Sequence, residues 1–463
     1  MLIRFNVKNV LSFSSRPENE SEEFSMIAGK VRSKKEHIFD DGHIKLLKFA
    51  AIYGANAAGK SNLVKAMNLM KTIVLRGLPD GHTEKYCKTQ PDNQNKPSYF
   101  EMELKLGEKY YSYGFEVILS QSKFISEWLV ELHPNNEETI LFNRDIEAGT
   151  YEFNGELAAI SLVDKLNVYA EDIATDPSVL FLTLMNTNKK TFYQNNLNAA
   201  CLRDIYVWYA SHLDISYPDQ PVSNYAYMAK SDRDQVEDVC RLIAAFGIGI
   251  TDYRLVEAPL EKALNGVPKQ NQDQILSNLE QKLAELRAVE NGPSRLTLIM
   301  RSHTNFFMIT LSKTEVLKCQ TIEFRHADRE TYFNLEEESD GTVRILDLLE
   351  ILLAGAGKTF VLDELDRCLH PALTYKFVET FLQLAIKQDI QLIVTTHESR
   401  LMDFDLLRRD EIWFVDKKKN GESDIYSLEE YNARFDQKID KAYLEGRYGG
   451  VPIFNSVFPV AEE

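Results

Sequence analysis

The octapeptide GANAAGKS at residues 54–61 constrains this chain more than any other feature, through what it requires elsewhere. Its GxxxxGKS spacing lets successive backbone N–H groups surround a phosphate, and a helix beginning there adds its N-terminal dipole. Such a loop needs a magnesium-binding carboxylate from a neighbouring strand, and the first good candidate, FVLDE, arrives only at residues 360–364. About three hundred residues separate two halves of one site. The fold must therefore bring distant parts of the sequence into one sheet.

Local patterning supports the loop. LLKFAAIYG before it is a nearly continuous apolar strand, and SNLVKAMNLMKTIVL after it has apolar residues at helical spacing. Strand, glycine loop and helix is the context that a phosphate-binding loop requires. Gly54, Ala55, Asn56, Ala57, Ala58, Gly59, Lys60, Ser61 and Asn62 are the expected nucleotide-binding residues. Lys60 would reach the β and γ phosphates of ATP, and Ser61 would bind Mg²⁺. In FVLDE, Asp363 would complete the magnesium shell while Glu364 orients or deprotonates the attacking water. QLIVTTH ends a second apolar strand about thirty residues later, and in this setting His397 would contact the γ-phosphate and the water. A further element, ESDGT at 338–342, precedes a strongly amphipathic helix. Small residues at a helix start can coordinate a phosphate, but taken alone the element reads as an ordinary N-cap formed by Ser339 or Asp340.

The remaining pattern gives a mixed α/β architecture. IRFNVKNVLSF alternates with the period of a half-buried strand, and residues 98–132 read as antiparallel strands with a tight turn at KLGEKYY. From about 160 to 295 the pattern becomes helical, and Leu276, Leu279, Leu283 and Leu286 are spaced for either a short coiled-coil seam or a core-facing helix. Strands resume after Pro293, and TFVLDE and QLIVTTH flank the helical PALTYKFVETFLQLAI, an alternation that indicates a mostly parallel sheet with covering helices. Two strands joined at Asn420-Gly421, then a helix and a Gly-rich finish, close the chain.

Composition excludes several classes. With 463 residues and 44% hydrophobic content the chain can bury substantial cores, as two or three domains. No apolar run approaches the ~18–20 residues that cross a bilayer, and the polar start lacks a secretory signal, so a cytoplasmic location is expected with no membrane partner. The five cysteines are scattered without a CxxC pair, which argues against disulfides and zinc. Fifty-three basic against seventy acidic residues give a net charge of −17, opposing a general wrapping of nucleic acid while leaving room for a local basic groove.

The order GANAAGKS, ESDGT, VLDELDRCLHP, TTH resembles the ABC-type ATPases of the SMC, RecF and OLD group, whose head is assembled from both ends of the chain around an insertion. The closing stretch resembles a bacterial branch of these ATPases that includes abortive-infection ATPases of phage-defence islands. The resemblance implies an ATPase head with a phosphate-loop sheet and an antiparallel β subdomain, divided as 1–155, a helical insertion 156–295, and 296–463. It also implies ATP held between two copies: Lys60, Ser61, Asp363, Glu364 and His397 on one, Ser339 and Gly341 contributed by the other, and Asp366 at the same interface. The signature departs from the LSGGQ form, and Gln90 is a candidate for the Q-loop glutamine. Only 66 residues follow His397, too few for the TOPRIM nuclease domain of OLD proteins, so the chain is expected not to be the nuclease itself. A homo-oligomeric sensor or scaffold that controls a separate TOPRIM-type effector and answers a phage-encoded trigger is the expected function. The alternatives are a RecF-like DNA repair ATPase that clamps duplex DNA and, with no supporting motif, an anticodon nuclease.

Overall fold

The computed structural model describes the chain except for residues 15–20, 136, 219, 221–224, 230–231, 266–267, 289–294, 303, 314–316, 328–329, 432–438 and 450–463. Pro293, most of the Gly-rich finish and the side chain of Leu286 lie outside the described residues. Contacts divide the chain into two compact units, each discontinuous in sequence. One comprises Met1–Ile215, Gly355–Leu365 and Leu382–Glu463; the other comprises Ser216–Ala354 and Asp366–Phe381.

The first unit holds the sheet that the distant motifs demand. Its six strands run in the order Leu213–Ser216, Thr359–Leu362, Gln391–Thr395, Phe49–Tyr53, Ile412–Lys417, Ser423–Ser427. Phe49–Tyr53 is the strand that feeds the glycine loop, and its parallel neighbours on both sides come from the C-terminal part of the chain. Every residue of Phe49–Tyr53 and of Gln391–Thr395 is buried. Strands covered on both faces read as continuous apolar runs. The expected α/β fold, with its core sheet built from distant parts of the chain, is observed.

A seven-stranded antiparallel sheet belongs to the same unit, in the order Thr150–Phe153, Glu138–Asp145, Lys123–Leu132, Lys109–Ile118, Ser98–Leu106, Leu2–Lys8, Glu22–Ser25. Alternation along Ser98–Leu106 puts one face in the core. The fully buried Gln391 ties this sheet to the parallel one. Its side chain accepts from the Leu2 N–H at 2.7 Å and donates to the carbonyls of Leu2 and Leu47 at 3.0 and 3.1 Å. A polar group without such partners would be costly at this depth.

In the second unit a five-stranded antiparallel sheet runs Ile250–Glu257, Lys318–His326, Phe306–Ser312, Arg295–Arg301, with Tyr332–Asn334 also paired to Lys318–His326. The helix Lys269–Ala288 packs on it: Leu279, with Ile275 and Leu283 beside it, meets Phe307, Ile309 and Leu311. These leucines face a core. The segment 156–295 also contains the strands Leu213–Ser216 and Ile250–Glu257 among its helices. Short strands whose partners lie far along the chain carry little local signal. Among the described residues, no helix is long and apolar enough to cross a membrane.

Candidate functional site

The glycine loop leaves the strand Phe49–Tyr53 and enters the helix Lys60–Arg76. Two of its glycines are dictated by neighbours as well as by conformation. Gly54 has φ 159° and an added Cβ would lie 2.3 Å from the Val415 carbonyl oxygen; Gly59 has φ 122° and its Cβ would lie 2.4 Å from Ser423 Oγ. Ala57 holds a left-handed φ of 63° between the exposed Asn56 and the buried Ala58. The loop is a backbone cradle that side chains would fill. At its end the first turn of a 17-residue helix has N–H groups with no partner inside that helix.

Lys60 is buried, and its Nζ donates to the carbonyls of Gly54 and Ala55 at 2.8 and 3.2 Å, folding the cation back over its own loop. Ser61 Oγ donates to Asp363 Oδ1 at 3.1 Å, across 302 positions of sequence. The residues expected to share a magnesium ion are thus in contact. A serine hydroxyl and a carboxylate are hard oxygen donors of the kind that Mg²⁺ takes alongside phosphate oxygens and water, so the residues fit a magnesium nucleotide. Glu364 follows, half-buried, with a left-handed φ of 52°. His397 is exposed just beyond the end of Gln391–Thr395.

Ser339, Gly341 and Asp366 belong to the second unit. Ser339 is the N-cap of the helix Asp340–Leu353, its Oγ accepting from the Thr342 N–H at 3.1 Å. The N-cap that these residues predicted is present. An added Cβ on Gly341 would stand 3.0 Å from the Cys368 carbonyl oxygen. Asp340, Arg344, Asp347, Arg367 and Cys368 line a cavity of about 290 Å³ at this helix start. Arg344 is buried there, and burial lowers its guanidinium from the ordinary value while Asp347 opposes the shift.

Of three supporting residues, Ser12 and Ser423 had no signature in sequence, while Thr395 stood inside the TTH motif without a role assigned to it. Thr395 Oγ1 donates to Asp363 Oδ1 at 2.6 Å and accepts from the Glu364 N–H at 2.8 Å. Ser423 Oγ donates to the Ala58 carbonyl at 2.5 Å and meets Ser12 Oγ at 2.8 Å, which in turn accepts from Asn62 Nδ2 at 2.8 Å. Ser12 and Ser423 therefore brace the loop from opposite ends of the chain. Gln90 Nε2 donates to Glu422 Oε1 at 3.2 Å, one residue from this brace. The turn residues Asn420-Gly421 were a legible hairpin signal, but nothing in sequence said which loop the hairpin would support.

The arrangement has the geometry of a phosphate-binding loop at the end of a mostly parallel sheet. The model of the family described as "AAA domain, putative AbiEii toxin, Type IV TA system" matches residues 49–403, and the chain belongs to that family. Among solved structures, the chain is similar to the SMC head domain from Thermotoga maritima at 14% identity, with 92% of this chain and 98% of that chain covered and a TM-score of 0.35. It is also similar to an Smc head with an extended coiled coil, bound to the C-terminal domain of ScpA and derived from Pyrococcus furiosus. There the identity is 14%, the coverage 96% of this chain and 99% of that chain, and the TM-score 0.33. No curated protein matches the sequence.

Proposed function

We propose that this chain binds and hydrolyses ATP as the sensor or scaffold subunit of a bacterial abortive-infection system against phage. In this reading it controls a separate toxic effector, a TOPRIM-type nuclease, and responds to a phage-encoded trigger. The Ser61–Asp363 contact carries the nucleotide part of the proposal, because it joins the two halves of the expected site. The family description, with its toxin–antitoxin setting, supports the defence part. The motif-level resemblance of the closing stretch points further, to AriA, the ATPase of the PARIS system.

Each residue then has a task. The cradle from Gly54 to Asn62 takes the phosphates, and Lys60 turns from its own loop carbonyls to the β and γ oxygens. Ser61 and Asp363 would hold magnesium, which supplies positive charge against the phosphate oxygens. Glu364 orients the attacking water or takes its proton, and His397 contacts the γ-phosphate. Ser339, Gly341 and Asp366 of a second copy close the site, so the working form is a homo-oligomer with ATP between heads. The three-part division at 155/156 and 295/296 belongs to the same proposal.

The test separates the ATPase from its effector. Purified with ATP and Mg²⁺, the chain should hydrolyse ATP and leave DNA and RNA intact. Expressed with its neighbouring gene and challenged by phage, it should arrest growth only when Lys60 and the partner's catalytic residues are both present. Metal-dependent cleavage of nucleic acid by the pure chain, abolished by mutations within 156–295, would move the effector into this polypeptide.

A further inference from the structure

Thr395 is the last residue of Gln391–Thr395, whose parallel register against Thr359–Leu362 sets Val394 opposite Leu362. The next step along each strand brings Thr395 to Asp363. Its side chain is fully buried, where a β-branched apolar residue would pack equally well. The hydroxyl instead makes two bonds, donating to Asp363 Oδ1 at 2.6 Å and accepting from the Glu364 N–H at 2.8 Å. Its carbonyl accepts from the Leu365 N–H at 2.9 Å. One residue thus holds three consecutive positions: a carboxylate, then two backbone amides.

Two consequences follow from that geometry. Asp363 Oδ1 is the oxygen that also accepts from Ser61, so the threonine hydroxyl fixes the rotamer that meets the glycine loop. The Glu364 amide that it holds belongs to a non-glycine residue with φ 52°, a conformation that persists where surrounding contacts over-determine it. That backbone setting decides where the Glu364 carboxylate points. We infer that Thr395 is a positioning residue for the acid pair, aiming Asp363 at Ser61 and Glu364 at the water. The inference rests on the proposed ATPase reading of the site.

A threonine that merely satisfies its strand end would affect folding and binding together, whereas a positioning residue splits binding from turnover. The experiment compares wild type with Thr395→Val, Thr395→Ala and Thr395→Ser. It measures kcat, equilibrium ATP affinity with and without Mg²⁺, and thermal unfolding. The valine and alanine chains should bind metal-free ATP within about threefold of wild type. They should lose the affinity that Mg²⁺ adds and turn over at least about tenfold more slowly, the scale of a lost hydrogen bond to a charged group. Serine should restore both to within about threefold. If valine misfolds, the alanine–serine pair, which differs by one oxygen, carries the same comparison. Valine or alanine turning over within twofold of wild type would overturn the inference, as would serine failing as far as alanine. A wild type with no ATP turnover overturns the ATPase reading instead, and the Mg²⁺-dependent affinity then still reports on Thr395.

Discussion

At the scale of single residues, the site depends on polar atoms whose partners are remote. Lys60 rests on its own loop carbonyls, and Gly59 leaves room for the hydroxyl of Ser423, 364 positions later. Remote burial has a cost as well. Glu103, on the antiparallel sheet, is pushed up to about 7 by burial, with Glu101 and Glu23 adding to the shift and Arg4 opposing it. Its folded value lies above its ordinary 4.5, so the fold favours the protonated form. The stability it contributes is full below about pH 4.5 and is lost as pH rises through about 7. Glu103→Gln should therefore be more stable than wild type at pH 8, with the advantage vanishing toward pH 4, as read by denaturant unfolding at each pH. An advantage that grew as pH fell would contradict the assignment.

At the scale of elements, the two chain ends are clasped around the phosphate-loop sheet by a buried charge cluster. Arg408 makes a two-pronged pair with Asp410 at 2.8 and 2.5 Å and donates to the Ser33 carbonyl at 2.8 Å. Asp410 accepts from the Gly29 N–H at 2.8 Å, and His37 Nδ1 meets the buried Glu411 at 2.9 Å. Arg408→Met would leave Asp410 buried without its guanidinium, so equilibrium unfolding should show a loss of about 3–5 kcal/mol; a change under about 1 kcal/mol would mean the clasp is dispensable. The strands Phe49–Tyr53, Thr359–Leu362 and Gln391–Thr395 were legible because complete burial writes a continuous apolar run. The hairpin was legible through Asn420-Gly421. The clasp, Ser12, Ser423 and the role of Thr395 within TTH were not. Serine, threonine and arginine take any role that their partners allow, and these partners lie far away in sequence. The strand Ile250–Glu257 was hidden for a related reason: its alternation is set by pairing with Lys318–His326 and not by a local repeat.

At the scale of the whole molecule, the long gap between GANAAGKS and FVLDE is resolved by the sheet order, which seats Phe49–Tyr53 between C-terminal strands. If a second copy completes the proposed site, Ser339→Arg and Lys60→Ala chains should each be inactive alone. Mixed, they should recover part of the ATPase activity through interfaces with one intact site. No recovery from demonstrated mixed oligomers would leave Ser339 as the helix cap it visibly is. The central claim is that Lys60 and Glu364 serve one nucleotide, the first by holding phosphate and the second by acting on water. Equilibrium ATP binding by Lys60→Ala and Glu364→Gln, set beside their turnover, tests it most directly. Lys60→Ala should lose at least about tenfold in affinity, the scale of a charged hydrogen bond, whereas Glu364→Gln should bind ATP as wild type does and fail to hydrolyse it. Glu364→Gln unable to hold ATP, or hydrolysing it at the wild-type rate, would contradict the account.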